Sequence, residues 1–395
     1  MYDTIIVGAG PVGSYLACKL VQLGYKVLVL EKKTAAGQEV CCTGIVSKDC
    51  LNLLSVSPNL TKKRLSSARF IAPSGKSLRL SRRDVVAYVI DRVALEQMLF
   101  SRARSNGARY LFRTDVTGIE PAAGCIKVTA ASQGDKTIFE AETAVIASGF
   151  GTPLPASLGL GKIDKFLIGV QAEVAVNAID DIEIYFDRRF GAGGFSWLVP
   201  LGDNRGLAGQ LTYEQPKFYF KNLLTALSKQ GKISATEITP DYRLIPLQSL
   251  PKTYSQRILV VGEAAGQVKP FTGGGIYYGL LCADIAVETL HQAFKTHDFS
   301  ESRLAWYERR WRARLGKELR LGYWTHRFYR SLNNRHLESL YSLISQDGMP
   351  QFISGLDEFP FDWHSQLVLK TFKHMVTAVP RLAFKPLIRY KEHAD

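Results

Sequence analysis

Three glycines near the N-terminus have the spacing Gly-x-Gly-x-x-Gly that suits a dinucleotide. Gly8 permits a tight turn, Gly10 lets a pyrophosphate reach the backbone, and Gly13 lets a helix pack closely on a strand. The N-terminus of that helix offers free amide donors to the anion. Glu31 can accept hydrogen bonds from the ribose hydroxyls, and an acid there disfavours a 2′-phosphate. The pattern predicts a site for FAD or NAD rather than for NADP.

The apolar pattern predicts the elements that hold this turn. Residues 4–7 are β-branched and apolar, as in a buried parallel strand, and residues 26–30 form a second such run. Between them, apolar residues recur at helical spacing over 11–23, and Gly24 ends the helix. Further strands are predicted far along the chain, in AYVI, ETAVI and QRILVV. Nucleotide-domain fragments so widely separated favour FAD over NAD.

These three distant stretches resemble the hydroxylase-like branch of FAD flavoproteins. QRILVVGEAAG is similar to a strand followed by Gly-Asp-Ala, whose acid binds the ribityl chain in that branch, with Glu263 in the position of the Asp. The stretch beginning at Arg92 loosely matches Arg-x-x-Phe-Asp-x-x-Leu, with Glu96 in place of Asp. The resemblance implies that Glu263 binds the ribityl chain and that Arg92 contacts the cofactor. An ordinary helix-capping surface charge is the alternative for Arg92.

Three more motifs resemble the geranylgeranyl reductase family. KPFTGGGIYYG is similar to Pro-x-Thr-Gly-Gly-Gly-Ile, which lines the flavin ring in that family, and VCCTGIVS is similar to Cys-x-Gly-x-x-Ser. FSWLVP matches Tyr-x-Trp-x-Phe-Pro, which lines the family's lipid cavity, but Phe195 replaces Tyr and Val199 replaces Phe. The resemblance covers about residues 1–300. It implies an FAD-dependent reductase that saturates carbon–carbon double bonds of a geranylgeranyl-type isoprenoid chain by hydride transfer from reduced flavin, with NAD(P)H or ferredoxin as reductant.

The resemblance also implies the site residues. Those expected at the reaction are Cys42, Gly273 and Gly274, and those expected to bind FAD are Gly8, Gly10, Pro11, Val12, Gly13, Glu31, Lys32, Cys42, Thr43, Gly44, Arg92, Val116, Gly149, Gly262, Glu263, Gly273, Gly274, Gly275 and Ile276. The expected substrate contacts are Phe195, Trp197, Pro200 and Pro270, and no metal is expected. Cys42 is also compatible with a small buried apolar side chain, and Trp197 with a core aromatic. The triple glycine has no comparable structural explanation.

The predicted fold class is α/β, with three parts. A discontinuous Rossmann-type FAD-binding domain, an antiparallel β-sheet substrate domain and a helical C-terminal region are expected. Their predicted ranges are 1–155 (with an insert around 56–84) and 255–300 for FAD, 156–254 for substrate, and 301–395 for the helices. In the last part, an apolar stripe indicates either core packing or a membrane-interface helix, and AVPRLAFKPLIRYK leaves the same choice. The stripe consists of Tyr307, Trp311, Leu315 and Leu319.

Composition limits location and partners. The chain has 395 residues, 46% of them hydrophobic, but no apolar run reaches the ~18 residues of a membrane span. With no signal-peptide pattern either, a cytoplasmic location with peripheral membrane contact is expected. Six cysteines without a CxxC pair argue against zinc and against a disulfide scaffold. A net charge of +14 fits an anionic cofactor, an anionic membrane face or an ordinary basic surface. Nucleic acid is not expected, and oligomeric state is not predicted.

Two rival functions fit the same scaffold. One is an FAD-dependent monooxygenase or hydroxylase of an aromatic or quinone substrate, and the other is a non-catalytic protein that binds flavin or lipid. The sequence leaves open the isoprenoid, its head group and the proton donor, for which Cys42 and a flavin-bound water are candidates.

Overall fold

A computed structural model describes residues 1–56, 60–345, 349–356 and 359–363 of the chain. The strands are β1 Tyr2–Val7, β2 Val27–Leu30, β3 Ile45–Val46, β4 Thr61–Leu65, β5 Ser67–Ile71, β6 Ser77–Ser81, β7 Ala87–Ile90, β8 Arg109–Leu111, β9 Asp115–Ala122, β10 Cys125–Ser132, β11 Asp135–Ile146, β12 Phe166–Ala175, β13 Ile182–Tyr185, β14 Ser196–Gly202, β15 Arg205–Thr212, β16 Asp241–Pro246, β17 Tyr254–Ser255 and β18 Ile258–Val260. The helices are α1 Pro11–Gln22, α2 Lys48–Leu54, α3 Arg92–Ser105, α4 Leu154–Ser157, α5 Pro216–Lys229, α6 Ile276–Thr296, α7 Glu301–Ser331, α8 Asn334–Ile344 and α9 Met349–Ser354.

The first sheet carries the nucleotide-binding turn. Its strands run in the order β17-β18-β11-β1-β2-β8, with β10 and β9 attached through β11. Strand β1 pairs in parallel with both β11 and β2, and all four residues of β2 are buried. Helices α1, α3 and α6 pack together over this sheet. Strands from three distant stretches of sequence therefore build one parallel layer, and the predicted Rossmann-type α/β fold is confirmed.

The second sheet stands beside the first and has the order β16-β12-β15-β14-β13-β5-β6. Its pairings are antiparallel except that between β13 and β5, which is parallel. Strands β5 and β6 come from the stretch around 56–84, so this insert extends the second sheet. A small third sheet, β3-β7-β4, lies next to it, because Leu65 and Ala87 pack in one apolar cluster with Val199 of β14.

The long helix α7 resolves one of the two choices left by the sequence. The side chains of Tyr307, Trp311 and Leu315 are fully buried, and Leu319 is 7% exposed. These residues belong to the cluster that includes α1 and α6, so the core-packing interpretation of the stripe is confirmed. The stretch AVPRLAFKPLIRYK lies outside the described residues. Within the described residues, no helix combines the length and apolarity that crossing a bilayer requires.

Candidate functional site

One cavity of about 820 Å³ runs between the two large sheets, and most of the predicted site residues line it. Those that do are Gly8, Gly10, Pro11, Val12, Glu31, Lys32, Cys42, Thr43, Arg92, Gly149, Phe195, Trp197, Glu263, Gly273, Gly274, Gly275 and Ile276. The predicted residues that lie behind its wall are Gly13, Gly44, Val116, Pro200, Gly262 and Pro270. The fold thus brings most of the residues named from the motifs to one cavity, and their roles there stay predictions.

The residues behind the wall have packing positions. A Cβ on Gly44 would lie 2.5 Å from the Ile90 carbonyl oxygen, and one on Gly262 would meet the Val12 side chain at 3.2 Å. Val116 belongs to the apolar cluster beneath the first sheet. Pro200 pairs within the second sheet, and Pro270 packs on Gly322 of α7.

The dinucleotide turn has the geometry that an anion requires. Gly8 has φ +106°, and a Cβ on Gly13 would lie 2.0 Å from the Gly8 carbonyl oxygen, so the turn and helix α1 touch backbone to backbone. Gly10 is different, because a Cβ there would have nothing within 4 Å. It caps α1 without any side-chain hydrogen bond, which leaves the amides of the first helical turn facing the cavity.

Glu31 is held rigidly at the end of β2. Its Oε2 accepts a hydrogen bond from the Ala9 amide at 2.7 Å, and its Oε1 accepts one from the Lys33 amide at 2.9 Å. Each oxygen keeps a further lone pair, which suits ribose hydroxyls. Together with the open backbone at Gly10, these groups fit the ADP part of FAD.

The three consecutive glycines are crowded by the protein itself. Gly273 has φ +73°, and a Cβ there would lie 3.1 Å from Ile245. A Cβ on Gly274 would touch the Lys269 stem at 3.4 Å, and one on Gly275 would meet Glu263 at 3.3 Å. The bare backbone therefore has a structural explanation that the sequence did not reveal. Close approach of a flavin ring to these glycines stays a prediction.

The cysteine motif lies beside a buried arginine. The Cys42 Sγ accepts a hydrogen bond from the Gly44 amide at 3.4 Å, and burial raises the pKa of Cys41 to about 11. Arg92 donates to Glu96 at 2.7 Å, while its buried Nε has no hydrogen-bond partner among the described residues. Arg92 is therefore a cavity group rather than a surface cap, and its unpaired donor fits an oxygen-rich ligand.

An ion pair that sequence reasoning missed fixes Glu263. Arg243, on the edge strand β16, donates from Nη2 to Glu263 Oε2 at 2.6 Å. The negative charge of Glu263 raises the pKa of Arg243. Arg243 stands in DYRLIP, which matches no motif, so only the pairing of β16 with β12 brings it to the site.

The other end of the cavity, which we call the apolar limb, is a different surface. It is lined by Leu65, Ala87, Ile182, Ile184, Val199 and Phe361. At its inner end, Phe195 packs on Trp197 with ring centres 5.8 Å apart and stacks on Phe271 at 6.0 Å. The Trp197 ring covers Gly209, where a Cβ would lie 2.3 Å from it. Phe195, Trp197 and Val199 belong to the FSWLVP motif, and the other residues named for this limb were not singled out from the sequence.

The two ends suit two different ligands. The opposite end, which we call the polar half, has Gly8, Gly10, Glu31, Arg92 and Glu263 and fits a dinucleotide. When bound, FAD supplies hydride chemistry that protein side chains lack. The apolar limb can take a hydrocarbon chain and exclude water from it.

Comparisons with known proteins agree with this arrangement. The family described as pyridine nucleotide-disulphide oxidoreductase matches residues 2–177. Digeranylgeranylglycerophospholipid reductase of Methanocaldococcus jannaschii is 30% identical over 322 residues, which cover 79% of this chain and 82% of that protein. Digeranylgeranylglycerophospholipid reductase 2 of Methanopyrus kandleri is 26% identical, with 99% of each chain covered.

Solved structures match in fold. A geranylgeranyl bacteriochlorophyll reductase-like protein from Thermoplasma acidophilum superimposes with a TM-score of 0.84 at 20% identity, covering 95% of this chain and 98% of that one. The flavin-dependent halogenase CmlS is more distant, with a TM-score of 0.68 at 17% identity over 95% of this chain and 77% of its own. The motifs, the fold and the relatives agree, and the chain belongs to the geranylgeranyl reductase family of FAD-dependent oxidoreductases.

Proposed function

We propose that this protein saturates carbon–carbon double bonds of a geranylgeranyl-type isoprenoid chain. The observation that carries the proposal is the continuity of one cavity, in which a dinucleotide turn at Gly10 opens into an apolar limb around Ile182 and Val199. An isoprenoid chain is apolar over its whole length and suits such a limb. The names of the relatives support a prenyl group on a glycerophospholipid as the substrate class.

The proposed site residues have different roles. Gly10, Glu31 and Arg92 bind the cofactor, Glu263 holds the ribityl chain with Arg243 fixing its orientation, and Trp197 positions the substrate. NAD(P)H or ferredoxin as electron donor stays a prediction from the resemblance.

Peripheral membrane contact is part of the proposal, through a different face of α7 from the buried stripe. Trp324 and Phe328 stand one helical turn apart, and each is 58% exposed. The surrounding exposed side chains on α7 are cationic: Arg314, Lys317, Arg320, Arg327 and Arg330. Exposed Trp and Phe among arginines suit an anionic lipid surface. The neighbouring Tyr323 packs against the same buried cluster as Trp197 and Ile245 of the cavity wall, so this face lies close to the site.

Vesicle binding tests the membrane face. A Trp324→Ser/Phe328→Ser double variant should lose about tenfold in partitioning to phosphatidylglycerol vesicles, because it removes the apolar part of the contact. Ile138, 60% exposed on β11, gives a matched control, and Ile138→Ser should bind as the wild type does. Equal binding by the double variant would exclude this face.

Product mass tests the proposed reaction. Reduced enzyme is incubated without oxygen with prenyl glycerophospholipids, geranylgeranyl diphosphate and a prenylated quinone. The proposal expects products that gain the mass of two hydrogen atoms for each double bond lost. A product that forms only with oxygen and gains one oxygen atom would instead identify a hydroxylase.

A further inference from the structure

A buried ion pair stands at the junction of the polar half and the apolar limb. The Lys269 Nζ lies 2.5 Å from Asp362 Oδ1, and the two side chains are only 7% and 4% exposed. Both residues line the cavity. The Nζ also lies 5.1 Å from the ring centre of Phe361, which belongs to the apolar limb. The pair is therefore placed where a hydrocarbon chain in the apolar limb would meet the three consecutive glycines 273–275.

Backbone contacts hold both partners in place. The Lys269 amide donates to the Gly274 carbonyl at 3.1 Å, and the Lys269 carbonyl accepts from the Gly273 amide at 2.9 Å. On the other side, the Asp362 carbonyl accepts from the Tyr278 hydroxyl at 2.7 Å. Asp362 Oδ2 is buried and has no hydrogen-bond partner among the described residues. A buried carboxylate oxygen left in this way marks a place for water or ligand.

The chemistry of saturation requires an acid at this junction. Each double bond takes up one hydride and one proton, and an apolar wall supplies no proton. Arginine keeps its proton in proteins, so Arg92 and Arg243 are not acids here. Burial raises the pKa of Tyr277, which also lines the cavity, to about 12, which makes its hydroxyl a weak acid. Cys42 lies with Arg92 in the polar half. The ammonium group of Lys269 lies close to the apolar limb, beside the ring of Phe361.

We propose that Lys269 donates the proton to the alkene and that Asp362 is its positioning residue. The π bond breaks as the hydride from reduced FAD forms one C–H bond and a proton from Lys269 Nζ forms the other. The N–H electron pair stays on Lys269, which becomes a neutral amine beside Asp362. The Lys269 amine then takes a proton from water and becomes an ammonium group again. This inference rests on the proposed reductase function.

Variants at Lys269 separate acidity from charge. Lys269→Arg keeps a cation for Asp362 but cannot transfer a proton, so the single-turnover rate of reduction should fall about 100-fold. The rate of Lys269→Ala should fall at least as far. Added ethylamine should restore part of that rate, whereas added guanidinium should not. Lys127→Arg is the matched control at an ion-paired lysine of β10 that does not line the cavity, and its single-turnover rate should stay within about twofold of the wild type.

Binding measurements complete the test. The dissociation constants of Lys269→Arg for FAD and for a fully saturated prenyl phospholipid should stay within about threefold of the wild type. Wild type that forms no reduced product refutes the proposed function. If the wild type reduces the alkene and Lys269→Arg does so equally fast, the proton-donor assignment is overturned while the proposed function stands. Loss of FAD or lipid binding in Lys269→Arg, or an equal loss of rate in Lys127→Arg, overturns it as well.

Discussion

The polar half and the apolar limb of the cavity are built in opposite ways. In the polar half, backbone conformation carries the site, since Gly8 and Gly273 have positive φ and Gly10 leaves its amides open. In the apolar limb, side chains from separate strands, such as Ala87 and Val199, meet only in the folded state. Each motif of the proposed cofactor site can therefore be recognised from a few consecutive residues, whereas the apolar limb forms only through tertiary packing.

The strongest test of this contrast compares two glycines of the same turn. Gly13→Ala places a Cβ 2.0 Å from the Gly8 carbonyl, so the apoprotein should lose about 3 kcal/mol in free energy of unfolding. Gly10→Ala meets no protein atom within 4 Å and should leave the unfolding free energy within about 0.5 kcal/mol. Its dissociation constant for FAD should nevertheless rise at least about tenfold, because the methyl group occupies the path of the pyrophosphate.

Urea unfolding of the apoprotein and FAD titration measure both effects. Normal FAD affinity in Gly10→Ala would show that no pyrophosphate approaches this backbone, and the polar half would lose its proposed ligand.

A substitution in the apolar limb should impair turnover of the prenyl substrate without changing FAD binding in the polar half. Gly209→Ala drives a methyl group into the Trp197 ring, which must then move within the cavity. We expect about a tenfold loss in kcat/KM for the prenyl substrate, with FAD affinity unchanged.

Gly118→Ala is the matched control for this substitution. Gly118 is also a strand glycine, but the nearest atom to its Cβ, on Thr129, is 3.8 Å away. If Gly209→Ala released FAD, or if Gly118→Ala had the same kinetic effect, the two parts of the cavity would not be separable.

Acid should destabilise the fold through His326, which packs among the aromatic residues next to Phe195. Burial, followed by the charges of Arg330 and Arg188, lowers the pKa of His326 to about 4 from its ordinary 6.5. His326 bonds to Tyr213 and contacts Phe271, which stacks on Phe195. The unfolded chain takes up a proton below 6.5 and the folded chain does so only near 4, so stability should fall between these values by at most about 1.4 kcal/mol per pH unit.

A His326→Gln variant isolates this contribution. Its unfolding free energy should depend less on pH between 6.5 and 4 than that of the wild type, and the two slopes should agree below 4. Identical slopes throughout would mean that His326 titrates normally in the fold.

Sequence reasoning reached the polar half because motifs mark backbone geometry. A few consecutive residues are enough to recognise the turn at Gly8, the acid Glu31 and the strand before Glu263. The fold class was predicted from these features. Arg243, Lys269 and Asp362 were missed as partners, because each meets its contact only across the folded chain. Most of the apolar limb was missed for the same reason, because Ile182 and Leu65 have the sequence pattern of ordinary core residues, and only the FSWLVP motif pointed to this end of the cavity.

The glycine run shows where a motif can mislead in detail. From the sequence, the absence of side chains at Gly274 and Gly275 was explained only by the close approach of a ligand. In the structure, the Lys269 stem and Glu263 already fill the space that side chains at these positions would need. The motif therefore fixes the positions of two charged residues as well as the backbone.

Single-turnover flavin reoxidation tests the central claim most directly, namely that one cavity joins a flavin to an isoprenoid chain. Enzyme with bound, reduced FAD is mixed without oxygen with a prenyl glycerophospholipid, and flavin absorbance is followed together with product mass. We predict that one flavin is reoxidised for each double bond lost. Flavin that stays reduced until oxygen is admitted, with every double bond intact, would contradict it.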